Sequence, residues 1–171
     1  AKGNNSEKIT FTTNNVEDYW GFIFFASSSI DTTFDDDGNY KNGSILEYCV
    51  MEYAGGTDEI DNGDGVIRMD GAHIYINNCT IKNNAASGIL GYNLYSTIKI
   101  TNSTIINNYH WPNSTAKGGG ISISGEARVI IISNNTISNN TAYSNVYAAF
   151  GGTTLIRVYW KNIKSRKIPL K

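Results

Sequence analysis

The side chains best placed to do chemistry in this 171-residue chain are carboxylates, and they come in clusters. Asp35-Asp36-Asp37-Gly38-Asn39 sets oxygens on alternate residues (Asp35, Asp37 and Asn39), a spacing with which loops wrap calcium. Asp61-Asn62-Gly63-Asp64-Gly65 is a second oxygen-rich turn, offering Asp61 and Asp64. An EF-hand would need Gly where Tyr40 stands and a closing Glu, which is missing. Two readings follow: structural calcium, the one cofactor the sequence suggests, or solvated acidic turns. Acid–base catalysis needs two titratable groups converging on one pocket. Asp35 and Asp36 are neighbours that an extended loop points apart. His73 precedes an apolar strand as a strand-edge residue, and His110 lies in a loop beside Trp111. No converging pair can be built from these, so no catalytic residue is assigned and a non-enzymatic role is preferred. Tyr92, Tyr95 and Trp111 fall on loops or strand edges and offer a platform on which a polysaccharide ring could stack.

The elements that must position these groups come from a repeat. NNCTIKNN at residues 77–84, TNSTIINN at 101–108 and SNNTISNN at 133–140 are three copies of one unit. Alternating apolar runs precede each, and a small residue with a second apolar run follows. Aligning Thr80, Thr104 and Thr136 gives periods of 24 and 32 residues, and a degenerate copy, Cys49-Val50-Met51, aligns 30 residues before Cys79-Thr80-Ile81. Such periods indicate a solenoid. The period within each unit is 2, broken by Asn and Gly, so each unit is short strands and corners. Coils of this kind stacked in register make an all-β parallel β-helix. Met51, Ile81, Ile105 and Ile137 are then the core stack, and Asn78, Asn102 and Asn134 are expected to form an asparagine ladder at a corner.

Stacking also gives the cysteines and charges a meaning. Cys49 and Cys79 share a column about one strand spacing apart, ~4.8 Å, which either two buried thiols or a disulfide accepts. Residues 1–70 hold 14 acidic and 4 basic side chains, net −10, while residues 71–171 hold 1 acidic and 10 basic, net +9. Where sequence order becomes height along a rod, this is an axial charge separation. Asp35, Asp36 and Asp37 mark one assembly end, and Lys164, Arg166 and Lys167 mark the other. No nucleic-acid partner is expected, and no apolar run approaches the length of a membrane span. Seven Asn-x-Ser/Thr sequons, at Asn4, Asn42, Asn78, Asn102, Asn113, Asn134 and Asn139, fit a secreted protein.

The Asn-rich units resemble the right-handed parallel β-helix repeats of pectate-lyase-like proteins, NosD-like proteins and bacterial and archaeal surface proteins. Trp20-Gly21-Phe22-Ile23-Phe24, Asn42-Gly43-Ser44-Ile45-Leu46-Glu47-Tyr48 and Glu52-Tyr53-Ala54-Gly55-Gly56 are similar to the first coils of such surface proteins, and the resemblance covers residues 9–152. It implies a single-stranded right-handed parallel β-helix, a solenoid of about five to six coils, filling one domain over 1–171. Within that domain, 1–43 form the first coil and acidic corner, 44–152 the repeat coils, and 153–171 a terminal strand and basic tail. Enzymes of this fold imply calcium carboxylates beside an Arg or Lys base, or paired Asp with His; here the acids precede most of the bases. The expectation is an extracellular, cell-surface module, structural or adhesive, forming filaments by head-to-tail stacking on itself or on neighbouring domains. The alternative is a polysaccharide-binding or polysaccharide-cleaving β-helix.

Overall fold

The computed structural model describes residues 1–15, 18–55, 65–110, 118–126, 129–142 and, as backbone, 154–158. The first coil contributes β1 (Ile9–Phe11) and β2 (Ile23–Phe25), and a hairpin of β3 (Thr33–Phe34) and β4 (Tyr40–Asn42) follows. The next coil runs β5 (Ile45–Glu47), β6 (Cys49–Glu52) and β7 (Gly65–Asp70). Then come β8 (Tyr75–Asn77), β9 (Thr80–Lys82) and β10 (Ser87–Leu94). They are followed by β11 (Thr97–Thr101), β12 (Thr104–Ile106), β13 (Tyr109–His110) and β14 (Ile121–Gly125). Last are β15 (Val129–Ser133), β16 (Thr136–Ser138), β17 (Thr141–Ala142) and β18 (Thr154–Val158).

Fourteen of these strands form three parallel sheets, one per face: β5-β8-β11-β15, β1-β6-β9-β12-β16 and β2-β7-β10-β14-β18, while β13 pairs with β17 in parallel and β3 with β4. Every neighbouring pair within the three sheets is parallel. The repeat threonines Thr80, Thr104 and Thr136 are cross-strand partners. Phe11, Met51, Ile81, Ile105 and Ile137 therefore stand in one column, as do Leu46, Ile76, Ile100 and Ile132, and Ile23, Ile67, Ile89 and Ile121. These columns meet between the sheets as one core. Burying each isoleucine removes its apolar surface from water, worth roughly 1.5–3 kcal/mol per side chain.

The corners are set by left-handed residues. Tyr48, Asn78, Asn102 and Asn134 have φ of 52–56°, and Tyr53, Asn83, Asn107 and Asn139 have φ of 54–58°. They flank the short strands of the second sheet, so Ile45–Tyr53, which alternation reads as one strand, is broken at Tyr48 into β5 and β6. Asn tolerates this backbone better than other side chains with a Cβ, which is why the repeat carries it twice.

The expected asparagine ladder needs correcting. Asn78, Asn102 and Asn134 make the turn, and Asn102 donates to Asn77 Oδ1 at 2.9 Å rather than to its own column. The buried ladder lies six residues further along each coil. Asn84 Nδ2 donates to Asn108 Oδ1 at 2.7 Å, and Asn108 Nδ2 donates to Asn140 Oδ1 at 2.8 Å. Each amide also donates to a carbonyl of the coil beneath: Met51 from Asn84, Ile81 from Asn108, Ile105 from Asn140. An inward position with no strand partner for its carboxamide forces this pairing, because a buried amide must be satisfied.

The segment from Asp31 to Gly43 also differs from the simple corner read in the sequence. It is an antiparallel hairpin, Thr33 facing Asn42 and Phe34 facing Tyr40. Tyr75 points away from the core yet is buried, because Phe34 packs edge-on against it at 5.4 Å and Tyr40 stacks on it at 6.3 Å.

Candidate functional site

The first coil leaves two sheets open. β1 is the outermost strand of the second sheet and β2 the outermost of the third. Ile9, Phe11, Trp20, Ile23 and Phe25 pack down on the core but are only partly buried. Phe11 and Trp20 meet at 6.3 Å, and Trp20 Nε1 donates to the Glu52 carbonyl at 2.8 Å, anchoring this apolar rim. Ile9 N–H donates inward to Tyr48 O at 3.1 Å, so strand alternation turns Thr10 N–H outward, along the edge. Phe24, nearly half exposed, and Phe22, lying over the Arg68 guanidinium at 3.6 Å, extend the apolar surface around the third sheet.

The acidic cluster is not at this pole. Lys99 of β11 donates its Nζ to the Gly38 carbonyl at 2.6 Å and lies 4.6 Å from the Phe34 ring and 5.4 Å from the Tyr75 ring. The hairpin therefore runs up the outside of the first sheet, and Asp35, Asp36 and Asp37 sit beside the rod instead of at its end. Asp35 is also no open ligand: Oδ1 accepts the Asn39 N–H at 2.8 Å and Oδ2 the Asn39 side-chain amide at 3.1 Å. Those bonds hold its pKa below the ordinary 3.8. Asp35, Asp37 and Asn39 form a hairpin turn, and among the described residues no group of three His, Cys, Asp or Glu side chains could hold a metal ion. Asp61, Asp64, Lys164, Arg166, Lys167 and Trp111 lie outside the described residues. Of the platform pair that remains, Tyr92 lies in β10 opposite Asp70 and is half-buried, while Tyr95 is 57% exposed in the turn that follows.

Both histidines are structural, and both are more buried than their sequence context suggests. His73 is 4% exposed; its Nδ1 lies 2.9 Å from Asp31 Oδ2, and its Nε2 accepts the N–H groups of Tyr95 and Ser96, each at 2.8 Å. His110, read as a loop residue, forms β13 with Tyr109 and lies with Nδ1 2.9 Å from Ser87 Oγ, both side chains buried. Cys49 and Cys79 are free, buried thiols.

In-register parallel strands on three faces, repeated coil after coil, match the family described as right-handed beta helix region over residues 2–158. The chain belongs to the right-handed β-helix family. No curated protein and no solved structure matches it. Within this β-helix the edge of β1 and β2 is a candidate surface whose residues sequence reasoning did not single out. Its signal was the apolar run around Trp20–Phe25, whose Phe22 and Phe24 stay exposed. The Asp31–His73 contact had no signal, since the two residues are 42 positions apart with no pattern linking them.

Proposed function

We propose that this β-helix is a non-enzymatic structural module of the cell exterior that assembles end to end, its first coil receiving the strand edge of another copy or of a neighbouring domain. The observation that carries the reading is the open edge of β1, whose Thr10 N–H faces away from the ladder above a half-buried apolar rim. An unpaired strand edge beside apolar side chains is a template for another chain. Charge supports the head-to-tail sense: leaving aside the three hairpin aspartates, residues 1–70 still carry net −7 against +9 in residues 71–171. A heterologous contact of this kind, without rotational closure, builds a filament. A surface location and an adhesive use of the filament belong to the same reading, and the seven sequons fit them.

Thr10→Pro tests this directly, because it removes the outward N–H and leaves the inward ladder intact. Sedimentation velocity at low salt should show concentration-dependent oligomers of the parent chain. Thr10→Pro should weaken them by about tenfold, ~1.4 kcal/mol, and Arg166→Glu with Lys167→Glu should weaken them at low salt only. A parent chain that stays monomeric throughout would sink the assembly reading. Release of unsaturated or reducing products from an acidic polysaccharide, with calcium present, would overturn the non-enzymatic one.

A further inference from the structure

We propose that Cys49 and Cys79 are a modification site, a vertical thiol pair that closes to an intramolecular disulfide and staples two adjacent coils. Val50 and Met51 pair with Thr80 and Ile81, so the cysteines one residue earlier, Cys49 opening β6 and Cys79 just before β9, are stacked with Cα atoms about 4.8 Å apart. That spacing lies within the roughly 4.4–6.8 Å a disulfide accepts. Both thiols are buried at the same corner, where the column continues through Ser103 and Asn135.

The column explains why the two side chains are stacked. Ser103 Oγ accepts the Cys79 N–H at 3.1 Å, and Asn135 Oδ1 accepts the Ser103 N–H at 2.8 Å, so each side chain sits over the coil beneath. One coil lower the same relation sets the Cys79 side chain over the Cys49 coil, its Sγ 3.3 Å from the Leu46 carbonyl. Each thiol shifts the other, lowering the Cys49 pKa to about 7 and raising that of Cys79. Cys49, the thiol beside residues 1–3, is the attacking sulfur. What covers it is the chain's first residues: Gly3 N–H donates to Glu47 O at 2.9 Å, and the Ala1 carbonyl lies 3.8 Å from Cys49 Sγ. Local opening of that outer strand edge is the least costly way to expose the thiol.

The oxidant is a low-molecular-weight disulfide, RS–SR. Cys49 thiolate attacks one sulfur, forming Cys49–S–SR and releasing RS⁻. Cys79 then loses its proton and attacks the Cys49 sulfur, forming the Cys49–Cys79 bond and releasing the second RS⁻. Two electrons pass to the oxidant, and the two thiol protons leave on two RSH.

The test is exposure of the native chain to oxidised glutathione. Thiol titration in denaturant should fall from two groups to none, the intact mass should drop by two hydrogens, and a non-reducing peptide map should join Cys49 to Cys79 within one chain. The oxidised form should melt roughly 5–15 °C higher. Cys79→Ser and Cys49→Ser, each giving the column a hydroxyl it already accepts at Ser103, should show neither the link nor the gain. Two thiols still titratable after prolonged exposure, or a link found only between chains, would overturn the proposal.

Discussion

The carboxylate of Asp31 holds His73 by two atoms: Oδ1 accepts its backbone N–H at 3.0 Å, and Oδ2 lies 2.9 Å from its ring Nδ1. Since Nε2 accepts two backbone N–H groups, the ring proton is on Nδ1 and is donated to Asp31. Thr32 adds its own N–H to the His73 carbonyl at 2.8 Å. One imidazole thereby joins the base of the hairpin to the turn between β10 and β11. Asp31→Ala should cost about 1–2 kcal/mol, discounted because the carboxylate is half exposed. Urea unfolding reads this as a lower midpoint with an unchanged slope.

Asn108 is the middle rung of the buried ladder, bonded to Asn84 below and Asn140 above. Asn108→Ala removes one of the two acceptors of the Asn84 amide and the side-chain donor to the Ile81 carbonyl, and leaves a buried gap, so a loss of about 2–3 kcal/mol is expected. Asn102→Ala, at an exposed left-handed corner, should lose only about 1 kcal/mol from backbone strain. Equal losses in chemical denaturation would show that the ladder contributes no more than an ordinary corner.

Tyr48 occupies the corner that Asn fills in the later coils, at φ 52°. A β-carbon there without Asn's local hydrogen bonding is strained. Tyr48→Asn should therefore raise the melting temperature by roughly 1–4 °C, a gain of about 0.5–1 kcal/mol. Calorimetry showing a fall would mean that packing of the tyrosine ring outweighs the strain.

The Asn39 N–H and amide keep Asp35 ionised in the folded hairpin below its ordinary pKa. A carboxylate whose folded pKa is depressed stabilises above the unfolded value of 3.8, and that contribution disappears as pH falls through the folded value. Asp35→Asn should therefore melt lower than the parent at neutral pH, with the difference closing as pH drops below that value. A difference that stays constant with pH would assign the effect to the turn's shape instead of its charge.

Much of this architecture was readable in the sequence because identical residues fall in identical places. Thr80, Thr104 and Thr136 announce their own register, and with it the column of Met51, Ile81, Ile105 and Ile137. The ladder was legible as a repeat of Asn but not as a position, since Asn78 and Asn84 look alike until one is seen to turn the chain and the other to face inward. The hairpin escaped because antiparallel pairing breaks the rule that later residues lie higher. Lys99, some 60 residues on, holds its tip through a lone carbonyl and two rings, none of which forms a pattern.

The eight-residue corner unit keeps its shape while the spacing from one copy to the next changes from 30 to 24 to 32 residues. Every difference in length falls between units, and each unit pairs with the copies above and below. A duplicated cassette could therefore be inserted between two coils without disturbing either. Such a rod can grow by gene-level copying, one rung at a time, and its reach becomes a quantity that evolution can set independently of its sturdiness.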